Sequence, residues 1–265
     1  MMKFCLLEKN ENNIFQLTFN RPEVHNAFNE EMIAELIDLF GQLKETNECR
    51  CLVVKANGPS FCAGADLNWM KKMKDYGEEK NIQDAKALCQ LFLQLNSLPM
   101  PTVGLIRGNA LGGGVGIVSC LDFVLSSPEV EFGLTEVRLG LIPAVISPFV
   151  MSKIGETHAR AYFSTGLRFN ANDAKQMGLI HQISSANEFD QTAQKIISQI
   201  SQTAPLASKM AKALAFKISE LKRSGQDDSS IHEYTYKTIA KVRTGKEAQE
   251  GMSSLLEKRK PNWPL

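Results

Sequence analysis

Short, continuously apolar runs alternate along the chain with longer stretches of helical spacing. Ile14 to Phe19, IFQLTF, alternates apolar and polar residues and predicts a half-buried strand. Residues 30–43, EEMIAELIDLFGQL, follow Asn29 and place Met32, Leu36 and Leu39 or Phe40 on one face, the pattern of an amphipathic helix capped by Asn29. CLVVKA at 51–56 predicts a short buried strand, and the glycine-containing NGPSFCAGAD after it a loop. Asn81 to Leu95 returns to helical spacing through Ala85, Leu88, Phe92 and Leu95, with Pro99 and Pro101 ending it. Thr102 to Ile106 and Asp122 to Ser126 predict two more buried strands, and VGIVSCL between them a buried helix behind a glycine turn. Continuous apolar strands separated by helices predict an α/β core covered on both faces.

From about residue 156 the strand signals fade. NANDAKQMGLI predicts a short capped helix, and Ser185–Ile200 and Pro205–Leu221 predict longer ones. In the last, Leu206, Met210, Leu214, Ile218 and Leu221 form one stripe, which reads as core packing. A helical C-terminal third can also serve oligomerisation. GQDDSS at 225–230 predicts a solvated break.

A net charge of +1 supplies no long-range field, so neither nucleic acid nor an anionic membrane is expected as a partner. No apolar run reaches the roughly 18 residues of a transmembrane helix. The opening MMKFCLLEKNENNIF turns polar too soon for a signal peptide. The six cysteines contain no C-x-x-C pair and the four histidines do not cluster with them, so no metal is expected. Unpaired cysteines in apolar company, such as Cys62 and Cys120, predict a reduced, cytoplasmic protein. His25, His158, His181 and His232 accompany no nucleophile motif, and no G-x-S-x-G elbow occurs.

The glycine run of GNALGGGVG, residues 108–116, is the unusual chemistry. No Lys follows it, so it is not a P-loop, and it fits G-x-G-x-x-G poorly. Glycines at the start of a buried helix can instead point free N–H groups at an anion, or simply let the helix pack closely against the sheet. FCAGADLNWM at 61–70 repeats the grammar of strand, small residues and apolar helix start. Two backbone donors from two such loops could converge on one carbonyl oxygen.

NRPEVHNAFN (20–29), FCAGADLNWM (61–70), GNALGGGVG (108–116), FGLTEVRLGLIP (132–143) and EKRKPNW (257–263) occur in an order and spacing that resemble the crotonase, or enoyl-CoA hydratase/isomerase, superfamily. Within it, FCAGADLNWM with FGLTEVRLGLIPAVISPF looks most like bacterial methylglutaconyl-CoA hydratases. The resemblance implies a crotonase-like spiral of ββα units over residues 1–200 and a helical oligomerisation region over 201–265. It implies a homotrimer or a hexamer of paired trimers, an acyl-CoA thioester substrate, and no cofactor, coenzyme A being part of the substrate. Matched by motif, the N–H groups of Ala65 and Gly113 would form an oxyanion hole. Ala63, Ala65, Asp66, Leu67 and Asn68 would cradle coenzyme A, with Val24 on its other side and Lys260 reaching its phosphates. Glu136, in FG-x-x-E, would be the catalytic carboxylate.

The chain departs from the pattern at Gly116, where family hydratases carry a first glutamate. Hydration with Glu136 as base and then acid is the leading expectation. Isomerisation by a single glutamate is the alternative, and a catalytically weak acyl-CoA- or RNA-binding protein the third. Asp66 and Glu131 are candidate replacements for the missing carboxylate. Arg107 and Arg138 are candidate partners for a distal substrate carboxylate.

Overall fold

Residues 2–263 of the chain are described by a computed structural model. Met1 and Pro264–Leu265, the outermost positions of the two predicted regions, lie outside the described residues. β1 (Cys5–Lys9) and β2 (Ile14–Phe19) pair antiparallel. After α1 (Glu30–Glu45), whose first turn is capped by the Asn29 side chain accepting from Met32 N, the chain enters β3 (Cys51–Ala56) beside β2. β4 (Ser60–Cys62) then starts a second sheet, followed by α2 (Leu67–Met73) and α3 (Glu78–Asn96). β5 (Thr102–Ile106) returns to the first sheet, β6 (Asn109–Leu111) pairs with β4, and α4 (Gly113–Cys120) follows. β7 (Phe123–Ser126) and β8 (Glu131–Gly133) repeat the step before a 3-10 turn, Glu136–Leu139, and α5 (Ser147–Thr165). Three successive turns of chain thus lay one strand in each sheet and then a helix, which is the expected ββα spiral.

β9 (Arg168–Asn170) closes the second sheet antiparallel to β8. α6 (Ala171–Gln176) opens with a capping box between Asn170 and Asp173, and β10 (Gln182–Ile183) ends the first sheet beside β7. α7 (Phe189–Ser201), α8 (Pro205–Arg223), α9 (Asp228–Arg243) and α10 (Lys246–Leu256) complete the chain. No helix among the described residues is long and apolar enough to cross a membrane.

The central strands of the first sheet, β3, β5 and β7, are covered on both faces, which explains their unalternating apolar runs. Leu52 and Val54 face the main core with Leu36, Phe92 and Val118, while Cys51 and Val53 face Phe189 and Ile197 of α7. Three expectations need correction. The strands β1, β4, β6, β8, β9 and β10 and the helix α5 went unpredicted, β9 and β10 in a region read as helical. The break at 225–230 ends early, because Asp227 caps α9 by accepting from Ser230 N. The stripe of α8 is not core: no residue of α8 is buried within this chain, and Leu206 is 57% exposed.

Candidate active site

The glycine turn sits where β6 hands over to α4. Gly112 adopts φ 51° and ψ −117°, a conformation that essentially only glycine takes without strain. Its N–H donates to Gly133 O at 2.8 Å, tying the turn to β8 and hence to the segment carrying Glu136. A Cβ at Gly112 would lie 3.1 Å from Glu136 Oε1 and 3.9 Å from Gly64 Cα. Glu136 and both small-residue loops therefore meet at one point.

The second loop follows β4. Gly64, at φ 96°, turns the chain, and Ala65 forms a parallel bridge with Phe28. In that bridge Phe28 N donates to Gly64 O and Asp66 N to Phe28 O, both at 2.8 Å. The pairing uses the groups on either side of Ala65 and turns the N–H of Ala65 itself away from Phe28. Neither Ala65 N–H nor Gly113 N–H has an acceptor among the described residues. Gly113 opens α4, where helix geometry leaves the first N–H groups without internal partners.

Both loops line a cavity of about 600 Å³. Phe28, Ala63, Gly64, Ala65, Gly112 and Gly113 form one side, α2 and α3 supply Trp69, Asp84 and Leu88, and Glu136 and Ile146 close it. Its rim is apolar, with Leu67, Leu139, Leu141 and Ile142 all more than half exposed. Glu136 Oε2 is buried without a hydrogen-bond partner among the described residues. Burial raises the Glu136 carboxyl above the ordinary glutamate range.

The other glycines of the run serve packing. A Cβ at Gly114 would lie 2.7 Å from Cys62 O, so that residue admits β4 rather than a ligand. A Cβ at Gly116 would lie 2.5 Å from Ile146 Cγ2 and 2.8 Å from Phe92 Cε1. The space a carboxylate would need is filled by two apolar side chains.

The remaining candidates divide. Ala63, Ala65 and Leu67 line the cavity, Asn68 is exposed on the next turn, and Val24 lies half-buried in a turn joined to the loop through Ala63 N to His25 O. Asp66 is no free acid: Oδ2 pairs with Arg21 at 2.8 Å and Oδ1 caps α2 by accepting from Asn68 N at 2.7 Å. Burial opposes its charge, but the Arg21 and backbone bonds outweigh that and hold it below the usual carboxylate range. Glu131 pairs with Arg168 on the surface, and Arg107 with Asp190. Neither these nor Arg138 and Lys260 line the cavity. Cys62 is a packed hydrophobe, its thiol pushed up to about 12 by burial.

Asp84 is the residue that sequence reading missed. Its Oδ2 accepts from Trp69 Nε1 at 3.3 Å, across the break between α2 and α3. The signal was present: Asp84 stands one turn before Leu88, in register with the apolar stripe of α3.

The model of the Enoyl-CoA hydratase/isomerase family matches residues 9–264. An enoyl-CoA isomerase/hydratase of Mycosarcoma maydis is 30% identical over 261 residues, covering 94% of this chain and 91% of its own. A short-chain-enoyl-CoA hydratase of Clostridium acetobutylicum is 28% identical, with 96% and 95% covered. The crystal structure of an enoyl-CoA hydratase from Shewanella pealeana superposes with a TM-score of 0.91 at 38% identity, covering 98% of this chain and 96% of that one.

Proposed function

The chain belongs to the enoyl-CoA hydratase/isomerase family, and from that premise we propose that it adds water to, or removes it from, an α,β-unsaturated acyl-CoA thioester. One observation carries the reading. Two N–H groups without acceptors among the described residues and a desolvated glutamate whose Oε2 has no partner among them share one cavity with apolar walls.

The thioester oxygen binds between Ala65 N–H and Gly113 N–H. As water adds at Cβ, the double-bond electrons move towards that oxygen, and the two donors hold the enolate. A single donor of this kind contributes about 3–4 kcal/mol to the transition state. Glu136 delivers the proton to Cα, and its raised pKa keeps that proton available closer to neutral pH. Coenzyme A lies along Ala63–Asn68 and the turn at Val24.

The cavity lining favours an uncharged acyl chain. No lysine, arginine or histidine among the described residues lines the cavity, so the distal carboxylate of a methylglutaconyl chain finds no cationic partner. A hydration screen over crotonyl-, methylcrotonyl- and methylglutaconyl-CoA tests this, with the glutaconyl substrate expected to be the poorest. No hydration on any of them overturns the hydratase reading. The filled space at Gly116 favours a second reading, isomerisation with Glu136 shuttling one proton, which would convert a 3-enoyl-CoA with no water added. If Glu136→Gln leaves all turnover intact, binding alone remains.

A homotrimer, or a hexamer of paired trimers, is proposed with it. Leu206, Phe216, Tyr236, Ile239, Leu255 and Leu256 of α8–α10 are exposed apolar residues that a second and third copy would cover. Sedimentation equilibrium should return three or six times the 29.4 kDa of one chain, and a single-chain mass would refute it. A reducing, cytoplasmic compartment accords with six free cysteines, five of them buried.

A further inference from the structure

We infer that Asp84 is the second carboxylate of the reaction, the base that takes a proton from the water adding to the substrate's β-carbon, held in position by the Trp69 indole. The inference rests on the hydratase reading above.

Hydration moves two protons, one off the water and one onto Cα. The space at Gly116 that could hold a first carboxylate is occupied by Ile146 and Phe92. Yet the cavity does contain a second acid. Among the described residues lining it, Asp84 and Glu136 are the ionisable side chains, and they come from different walls, α3 and the 3-10 turn after β8. A Cβ on Gly112 would lie 3.1 Å from Glu136 Oε1, so that carboxyl stands over the turn that opens α4 beside the Gly113 N–H, at the thioester end of the cavity. Asp84 lies with Trp69, Ala85 and Leu88 on the wall built by α2 and α3.

The indole bond gives Asp84 what a base needs. Trp69 is buried, so its N–H is a fixed donor. It engages Oδ2 and leaves Oδ1 without a protein partner among the described residues, free to accept from water. Asn81, one turn earlier on the same helix, also lines the cavity, but its amide nitrogen donates to Tyr76 O and Gly77 O and an amide oxygen is too weak a base to take the water's proton.

The water oxygen bonds to Cβ, and one of its protons passes to Asp84 Oδ1. The double-bond electrons move through Cα and C1 to the thioester oxygen, held by Ala65 N–H and Gly113 N–H. The enolate then collapses as Glu136 gives its proton to Cα. Asp84 releases its proton to solvent and Glu136 takes one up, restoring both groups.

Asp84→Asn keeps an oxygen that can accept from Trp69 Nε1 and removes the base, so it separates chemistry from positioning. Hydration of crotonyl-CoA is compared with exchange of the Cα hydrogens of butyryl-CoA in deuterated water, a reaction that needs Glu136 and the two N–H donors and no water addition. For Asp84→Asn, kcat for hydration should fall at least about a hundredfold with KM little changed, while exchange stays at the parent rate. Glu136→Gln should lose both. Retained exchange also reports that the variant is folded. Trp69→Phe, with the indole donor gone, should lower kcat for hydration and spare exchange. Hydration at the parent rate in Asp84→Asn overturns the inference, as does a parallel fall in exchange, which would give Asp84 a structural role only. A parent enzyme that exchanges Cα hydrogens but hydrates none of crotonyl-, methylcrotonyl- and methylglutaconyl-CoA overturns the proposed function and the role of Asp84 together. That result is read before any variant is made.

Discussion

Replacing Gly116 by alanine adds one methyl group at the most crowded point of α4. That methyl would lie 2.5 Å from Ile146 Cγ2 and 2.8 and 2.9 Å from two ring carbons of Phe92. Carbon atoms pack best at about 3.5–4.0 Å, so the neighbours must yield by roughly 1 Å. They have little room to do so. Phe92 is fully buried and packs on Phe149 with ring centroids 5.9 Å apart, and Ile146 is 4% exposed. Overpacking of this kind costs about 1–3 kcal/mol. Alanine returns up to about 1 kcal/mol through its helix propensity. The net loss is about 1–2 kcal/mol, and at about 2–4 °C for each kcal/mol Tm should fall by roughly 2–8 °C. Gly116→Glu should do worse and add no activity, because its carboxylate would enter the same space uncharged or unpaired. The assay is thermal unfolding of Gly116→Ala in the parent and in an Ile146→Ala background. With the 2.5 Å contact removed, the same change should cost at least about 1 kcal/mol less. Equal costs in both backgrounds, or a Gly116→Ala protein as stable as the parent, would refute the packing argument. They would also reopen Gly116 as a site that could carry an acid.

Two further perturbations test the neighbouring groups. Glu136 has a folded pKa raised by burial, so its contribution to stability is complete below the unfolded value and is lost as pH rises through the folded one. Glu136→Gln should therefore raise Tm relative to the parent near pH 8 and give no gain near about pH 4, and thermal melts at both pH values check the sign. Arg21→Met leaves the Asp66 carboxylate buried without its partner. It should destabilise by about 3–5 kcal/mol in urea unfolding and weaken substrate binding through the Ala65 loop, whereas a loss under about 1 kcal/mol would show the pair to be solvent-screened.

What the sequence revealed follows from how local each feature is. α1 was legible because its cap and its stripe are short-range: Asn29 accepts from Met32 N, and Met32, Leu36 and Leu39 are buried. β3 was legible because both of its faces are covered, leaving an unbroken apolar run. The three-residue strands β4, β6 and β8 are too short for any period, and each exists through pairing with a strand from a different turn of the spiral. The stripe of α8 looked like core because helical spacing reports only that a face is apolar, not which chain covers it. Gly116 was recognised as the place of a missing acid, but that Ile146 and Phe92 fill the space depends on residues 30 positions downstream and 24 upstream. Asp84 was hidden for the same reason: a lone charge in an apolar stripe acquires meaning only when Trp69 and Glu136 are brought around it.

The distribution of unpaired polar groups is the strongest link between this fold and its chemistry. Two buried side-chain atoms lack partners among the described residues, Gln94 Oε1 and Glu136 Oε2, and only the second faces the cavity. An unsatisfied buried polar group costs about 1–3 kcal/mol, which a fold with a nearby hydroxyl or amide could avoid. Gly112 lies beside Glu136 and has no side chain, and the hydroxyl of Thr135, the neighbour of Glu136 in the chain and in the cavity lining, makes no hydrogen bond to that oxygen among the described residues. The same loops leave two backbone N–H groups without acceptors among the described residues, although a shift of Ala65 by one residue would have consumed one of them in the bridge to Phe28. Packing alone gives no reason for these omissions to coincide. The proposed thioester would supply one, its oxygen accepting from both N–H groups and its α-carbon exchanging a proton with Glu136, because it engages all three groups together and only while bound.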